Sequence, residues 1–299
     1  MGQELPHSLG AKGKSVKYTL LSIYLFSLRY ALANVFHGRL RRGLYLLVRP
    51  IDYWRVREYP LALEYLSPQK DEWTLDIGSP KLLSAYLADH CGVHVVALDV
   101  FDDKGLTDTA FFARATGNPR LHVLIGDGRK LPFGDASFDK VYSISVLEHV
   151  NPPQGGDQTA LKEIARVLKP GGSLVVTFPF SPSYFEEYRQ DDVYDRKSGG
   201  KDEKLFYQRH HDAATLRTLL DSLPEFDVVK QEFMCERFFK RSGVELTNVI
   251  SEGNKVKRLS LAPFYLIFGL VFLSRQSEPR PGCQYMAVGL HLRRNALRA

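Results

Sequence analysis

Apolar residues follow two rhythms along this chain. Between residues 73 and 180, short apolar runs alternate with stretches whose apolar residues recur every three or four positions, which predicts strands alternating with helices. The runs are Trp73 to Ile77, Val93 to Leu98, Leu121 to Ile125, Phe138 to Ser145 and Leu174 to Phe178. Between them, Leu82, Leu83, Tyr86 and Leu87 mark one helix, and Asp108 to Thr116, with Phe111 and Phe112, a second. Gln158 to Leu168 makes a third, with Leu161, Ile164, Ala165 and Leu168 on one face and Pro170-Gly171-Gly172 as its stop. This alternation implies an α/β domain, a doubly wound parallel sheet with helices on both faces.

The flanks read differently. Residues 1 to 14 are polar and are expected to lack regular structure, whereas Lys17 to Leu47 is helical in pattern, with Arg39, Arg41 and Arg42 clustered beside Leu44 to Leu47. Such a basic, apolar-striped helix can lie on an anionic membrane surface, or form a lid that packs on the main domain with its arginines in water. Pro50 breaks the pattern and Tyr59 to Leu66 forms one more short helix, so residues 1–66 read as an N-terminal helical extension to a main domain at 67–299. Beyond Pro179, the aromatic and charged stretch Ser181 to Gln208 suits a substrate loop or cover. Asp212 to Leu223 reads as a helix capped by Asp212 or its neighbour, followed by strands at Phe226 to Met234 and Gln284 to Leu292. An insertion at about 238–282 separates those strands and holds the apolar run Leu261 to Leu273, expected to be a helix packed against the N-terminal one.

Composition narrows the setting. At 299 residues and 44% hydrophobic, the chain can bury one large core with room for an accessory element. A net charge of +6 favours anionic surfaces without choosing among nucleic acid, lipid and acidic metabolites. Cys91, Cys235 and Cys283 are isolated and odd in number, which points to a reducing, cytoplasmic setting. Lys12, Lys14 and Lys17 ahead of Tyr18 to Leu28 imitate a secretory signal, but Arg29 separates that run from the cleavage-like Ala31-Leu32-Ala33. Arg29 also weakens Tyr18 to Phe36 as a transmembrane span, and Leu261 to Leu273 is too short for one, which leaves both as candidates for peripheral membrane contact.

The chemistry concentrates where the first strand ends. Asp76-Ile77-Gly78-Ser79-Pro80 reads as a strand, a tight turn and a helix start, with Ser79 suited to the N-cap and Pro80 to the first helical position. Asp99 closes the next strand roughly twenty residues on, the separation at which a β-α-β unit presents a carboxylate to ribose hydroxyls.

Leu75-Asp76-Ile77-Gly78, Leu98-Asp99, Gly126-Asp127, Leu131-Pro132-Phe133, Ser137-Phe138-Asp139, Val146-Leu147-Glu148-His149-Val150 and Leu168-Lys169-Pro170-Gly171-Gly172 follow one another in an order that resembles the class I S-adenosylmethionine-dependent methyltransferases. The likeness covers about residues 70–236 and is closest to the small-molecule and lipid-type methylases. It implies a Rossmann-like, seven-stranded sheet, mostly parallel with the last strand antiparallel, and S-adenosylmethionine as cofactor. By the resemblance, Asp76, Gly78 and Ser79 lie at the methionine part of the cofactor, Asp99 holds the ribose, Asp127 and Gly128 meet the adenine, and Ser143 lies at the end of the fourth strand near the reactive methyl. In the family's Asp-x-Gly-x-Gly-x-Gly turn, the second and third glycines are Pro80 and Leu82 here; Lys81 can compensate by pairing with the methionine carboxylate.

His149 and Glu148 are the candidate catalytic residues, His149 as a base that takes a proton from an acceptor hydroxyl or as a capping histidine. Ser145 stands where a metal motif would need glutamate, so no metal is expected. His210, His211, Tyr184, Tyr188, Tyr194 and Tyr207 are candidates for the acceptor pocket. The implied activity is methylation, at oxygen before carbon or nitrogen, of a small-molecule or lipid-like acceptor. The alternative is a degenerate methyltransferase fold that binds or scaffolds without catalysis. Nucleic acid is not expected as substrate, because the basic residues cluster in the N-terminal helices and Asn151-Pro152-Pro153 comes too late to read a flipped base.

Overall fold

The computed structural model describes residues 19–100, 104–189, 204–237, 246 and 260–296. The expectations for residues 1–14 and for Tyr194 fall outside them. Strands β1 (Trp73–Ile77), β2 (His94–Asp99), β3 (Leu121–Ile125), β4 (Phe138–Ile144) and β5 (Leu168–Phe180) are parallel, joined by α4 (Leu82–His90), α5 (Lys104–Thr116) and α6 (Gly156–Val167), with β3 entering directly into the turns before β4. The helices α1 (Leu20–Phe36), α2 (Leu40–Val48) and α3 (Arg55–Leu66) precede them. After β5 come β6 (Phe185–Arg189), β7 (Leu205–His210), α7 (Ala213–Asp221), β8 (Phe226–Glu236), α8 (Tyr265–Phe272), β9 (Leu273–Gln276) and β10 (Met286–Arg294).

The main sheet has the order β3-β2-β1-β4-β5-β10-β8-β9, with β10 antiparallel to both β5 and β8. The Rossmann-like, mostly parallel architecture is as expected, but with eight strands in place of seven. The additional strand is β9, which continues the apolar run of α8 and pairs with β8 at the sheet edge. Strand order reverses between β1 and β4, so a crevice opens at the carboxyl ends of β1, β2 and β4.

Two cores sandwich the sheet. On one face, Ala160, Leu161 and Ile164 of α6 and Leu216 and Leu219 of α7 pack against Val141, Val176 and Phe178. On the other, α1, α3, α4 and α5 converge: Phe26 meets Tyr86 and Phe112 edge-on at 5.5 and 5.8 Å, and Tyr30 lies 4.7 Å from Phe112. Such aromatic pairs each add about 0.5–1.5 kcal/mol beyond the area they bury, and they fix α1 over the sheet-facing helices α4 and α5.

The helical stretch expected at Lys17 to Leu47 divides at Gly38, whose φ of +82° ends α1 and lets α2 fold back. The two helices then close tightly, because a β-carbon at Gly43 would stand 2.4 Å from Val35 Cγ2 and 2.9 Å from the Ala31 carbonyl. Helix α3 begins at Arg55, earlier than expected, and carries Pro60 in its interior. The stretch read as a loop after Pro179 contains the hairpin β6–β7. Asp212 caps α7 in a reciprocal box with Thr215. Helix α8 lies on α3, close enough that a β-carbon on Gly269 would meet Val56 at 2.6 Å. No helix among the described residues is long and apolar enough to cross a membrane.

Candidate functional site

The turn after β1 is built around Asp76, which is fully buried. One carboxylate oxygen accepts the Ser79 amide at 3.0 Å, and the other accepts the Ser84 hydroxyl in a short bond. Gly78 takes φ +68° and donates its amide to the Leu98 carbonyl at 2.8 Å, while Val146 Cγ1 lies 2.4 Å from where a β-carbon would stand. Only glycine satisfies both demands without displacement. The turn therefore closes although the later glycines are missing: Pro80 lines a cavity and Leu82 packs against the helical core.

Ser79 does not cap α4, as the sequence implied. Its hydroxyl accepts the Ile144 amide at 2.8 Å, and the helix begins at Leu82 with no side-chain cap. Asp76 has already accepted the Ser79 amide, so the serine side chain is released to tie the turn to β4. Ser143 is likewise internal, its hydroxyl donating to the Ile77 carbonyl at 2.9 Å from a fully buried position. Both serines, expected at the cofactor, hold β1 against β4 with their side chains.

Lys81 sits in a different situation. Its ammonium is buried, lies 3.6 Å from Asp76 and 3.4 Å from Asp99, and makes no hydrogen bond. A buried cation with unused donors is ready for an anionic or oxygen-bearing ligand. Asp99, partly exposed at the end of β2, accepts the Val100 amide at 2.9 Å. Asp127 is gripped by Arg129, whose Nε donates to both carboxylate oxygens at 3.0 Å and whose hydrogen bonds, above all, hold the Asp127 pKa below the usual range. Arg129 also donates to the Asn151 carbonyl, binding the turn after β3 to the loop after β4. Gly128 is buried against Ile77, with 3.1 Å left for a β-carbon.

A cavity of about 360 Å³ opens beside Lys81, walled by Tyr30 of α1, Arg42 and Tyr45 of α2, Arg49, Tyr59 of α3 and the Pro80–Leu82 turn. Asp108 binds Arg42, and Arg39 behind it, and Asp52 binds Arg49, so Arg42 and Arg49 are fixed in place at the wall. The sequence left Arg39 and Arg42 at an anionic membrane surface or, on a helical lid, in water; the reason they turn inward is the buried Asp108 at the start of α5, a partner 66 residues from Arg42.

The second cluster lies past β4, in the short 3-10 turn Leu147–His149. Glu148 is fully buried; one carboxyl oxygen accepts the Ser145 hydroxyl at 2.8 Å, the other has no hydrogen-bond partner, and burial pushes its pKa up to about 8. Its Oε1 lies 3.7 Å from His149 Nε2. On the far side of the ring, Nδ1 is 2.6 Å from the Tyr207 carbonyl, which can only accept, so Nδ1 carries the proton and a neutral ring keeps its lone pair on Nε2. Glu58 and Arg55 of α3 form a buried ion pair nearby, with Glu58 also accepting the Thr177 hydroxyl at 2.9 Å.

Arg209, fully buried, clamps the whole loop. It donates to the carbonyls of Leu147, Val150 and Pro152 at 3.0, 2.7 and 3.1 Å and pairs with Asp157 at 3.2 Å. His211 also faces Asp157, and His210 stacks on Phe185 at 4.1 Å, so both histidines are parts of the hairpin's seat. Tyr184 and Tyr188 donate to Glu186, and Tyr207 lies under Arg189. The described residues hold no grouping of three His, Cys, Asp or Glu side chains suited to a metal ion.

A family model described as methyltransferase domain matches residues 75–176, from β1 through β5. Residues 75–176, about a third of the chain, therefore carry a methyltransferase domain. An O-methyltransferase, cnsE, of Penicillium expansum is 35% identical over 112 residues, covering 37% of this chain and 39% of that protein. A demethylmenaquinone methyltransferase of Clavibacter sepedonicus is 33% identical over 136 residues, 46% of this chain and 51% of the other. The match thus spans about two-fifths to one half of the length of these two relatives. Among solved structures, coclaurine N-methyltransferase bound to N-methylheliamine and S-adenosylhomocysteine superposes with a TM-score of 0.53 at 13% identity, over 93% of this chain and 95% of that one. The [4+2]-cyclase SpnF gives 0.52 at 18% identity over 92% and 96%, so the methyltransferase fold extends across the helices that precede residue 75. At such identities the likeness is one of fold, and chemistry has to be argued from the site.

Proposed function

We propose that the protein transfers a methyl group from S-adenosylmethionine to a hydroxyl of a small-molecule or lipid-like acceptor. The observation that carries this reading is the buried Lys81 ammonium, without a hydrogen bond and set between Asp76 and Asp99 at the crevice where strand order reverses. The donor set fits the cofactor: Lys81 would take the methionine carboxylate, Asp99 the ribose hydroxyls, and Asp127 with Gly128 the adenine edge. Asp76 and Gly78 shape the turn from within, while Ser79 and Ser143 brace it. When bound, the cofactor supplies a sulfonium-activated methyl carbon, so the chain's task is to orient the acceptor and relieve it of a proton.

His149 is built for that proton. The Tyr207 carbonyl fixes its tautomer with Nδ1 protonated and the lone pair on Nε2, and Glu148 beside it, protonated at neutral pH by its burial, can hydrogen-bond the acceptor oxygen. Oxygen as the target is supported by the O-methyltransferases among the relatives. The test is label transfer from methyl-labelled S-adenosylmethionine to matched panels of alcohols or phenols, amines and lipids. Label is expected in the hydroxyl panel, and His149→Ala should lower kcat by about a hundredfold while S-adenosylhomocysteine binding persists. Binding of the cofactor with no transfer to any panel would favour a binding protein on this fold.

A further inference from the structure

We propose that the outer face of α1 and α2, together with α8, docks on the surface of an anionic lipid bilayer. The inner face of α1 is consumed by packing, with Ile23, Phe26, Tyr30 and Asn34 buried. A helix covering a domain normally turns polar residues outward. Here most outward positions are apolar: Leu21, Leu25, Leu32 and Phe36 are 64%, 57%, 41% and 81% exposed, and the one charge among them, Arg29, is paired with Asp89 at 2.6 Å. Leu40, Leu44 and Val48, at intervals of four, continue an exposed apolar edge along α2. Helix α8 adds Ile267, Leu270 and Val271, and Arg49 at the end of α2 reaches over the Tyr265 ring at its start, so the two edges adjoin. Apolar surface of this extent and order marks a contact site.

Charge selects the occupant. Residues 19–51, which form α1 and α2, contain five Arg and no Asp or Glu, and residues 260–277, which hold α8, contain one Arg and no acid. A second copy of the chain would set these cationic segments against each other, whereas a bilayer carrying acidic headgroups complements both the charge and the apolar stripe. Arg41 lies exposed beside Leu40 and Leu44, placed to meet headgroup phosphates or carboxylates, while Arg39 and Arg42 are held inward by Asp108. Helix α1 is 17 residues long and packed along its inner face, so the mode is a helix lying in the interface, not one that spans it. The same two helices wall the cavity beside Lys81, which docking would bring to the headgroup layer.

The experiment is co-sedimentation of the full chain with vesicles of phosphatidylcholine alone and with about 30% phosphatidylserine, at low and high salt, where the anionic vesicles are expected to bind at least about tenfold more tightly. Leu25→Glu with Phe36→Glu, both exposed and therefore compatible with the fold, should lower that binding by about tenfold or more at an unchanged melting temperature. Arg41→Glu, which leaves the apolar stripe intact, should lower it with a weaker dependence on salt. Absence of binding to phosphatidylserine vesicles, or binding indifferent to Leu25→Glu and Phe36→Glu, overturns the proposal. So does a self-association seen by analytical ultracentrifugation that those substitutions abolish while no vesicle binding occurs, since the face would then be a contact between copies.

Discussion

Gly78 and Glu148 carry opposite kinds of local tension. At Gly78 the backbone is left-handed and a β-carbon would collide with Val146, so Gly78→Ala should destabilise the fold by about 2–4 kcal/mol in denaturant unfolding and also weaken cofactor binding. At Glu148 the tension is electrostatic. Its folded pKa of about 8 lies above the ordinary carboxyl value of 4.5, so the native state holds a proton that the unfolded chain has released between those values. The resulting stabilisation is complete below pH 4.5 and is lost as pH rises through 8. Glu148→Gln, which does not titrate, should therefore gain stability relative to the parent by on the order of a few kcal/mol between pH 5 and pH 9, measured by unfolding at each pH. Asp76, Gly78 and Asp99 were legible in the sequence because a strand end fixes their place. Ser79 was misread as the cap of α4, and the bracing role of Ser143 was not legible, because their hydroxyls serve strand atoms more than sixty residues away, the Ile144 amide and the Ile77 carbonyl, partners that no local pattern reveals.

At the scale of elements, the loop after β4 that carries Glu148 and His149 is held from outside by the β6–β7 hairpin, with Arg209 at three carbonyls and Tyr207 at the His149 ring. Arg209→Met leaves those carbonyls and Asp157 buried without their donor. It should cost about 3–5 kcal/mol and lower kcat more than it raises KM for S-adenosylmethionine, because Asp99 and Lys81 lie on other elements. The N-terminal helices offer a second test. Gly43→Ala should force α2 away from α1 at a cost of about 1–3 kcal/mol, read by thermal unfolding, and loosen the cavity that both helices wall. The alternating strands and helices from β1 to β5 were readable from period alone. The hairpin was not, since its alternation is masked by charged and aromatic residues that pair across it, and β9 was hidden as the tail of an apolar run whose first part is helical.

Over the whole molecule, a Rossmann-like sheet of eight strands is joined to a cationic helical cover with apolar residues on both its faces. The inner face closes the crevice over Lys81, and the outer face is free for an anionic membrane. The sequence showed the basic and apolar content of that cover; which side each residue takes emerged only from Phe112, Tyr86 and Asp108, the partners that draw Phe26, Tyr30 and Arg42 inward. All of this depends on one ligand lodging between Lys81, Asp99 and Asp127. Titration calorimetry of the full chain with S-adenosylhomocysteine tests it most directly. One saturable site is expected, which Asp99→Ala weakens by at least about tenfold, ~1.4 kcal/mol; no heat of binding at millimolar ligand, or binding indifferent to Asp99→Ala, would contradict it.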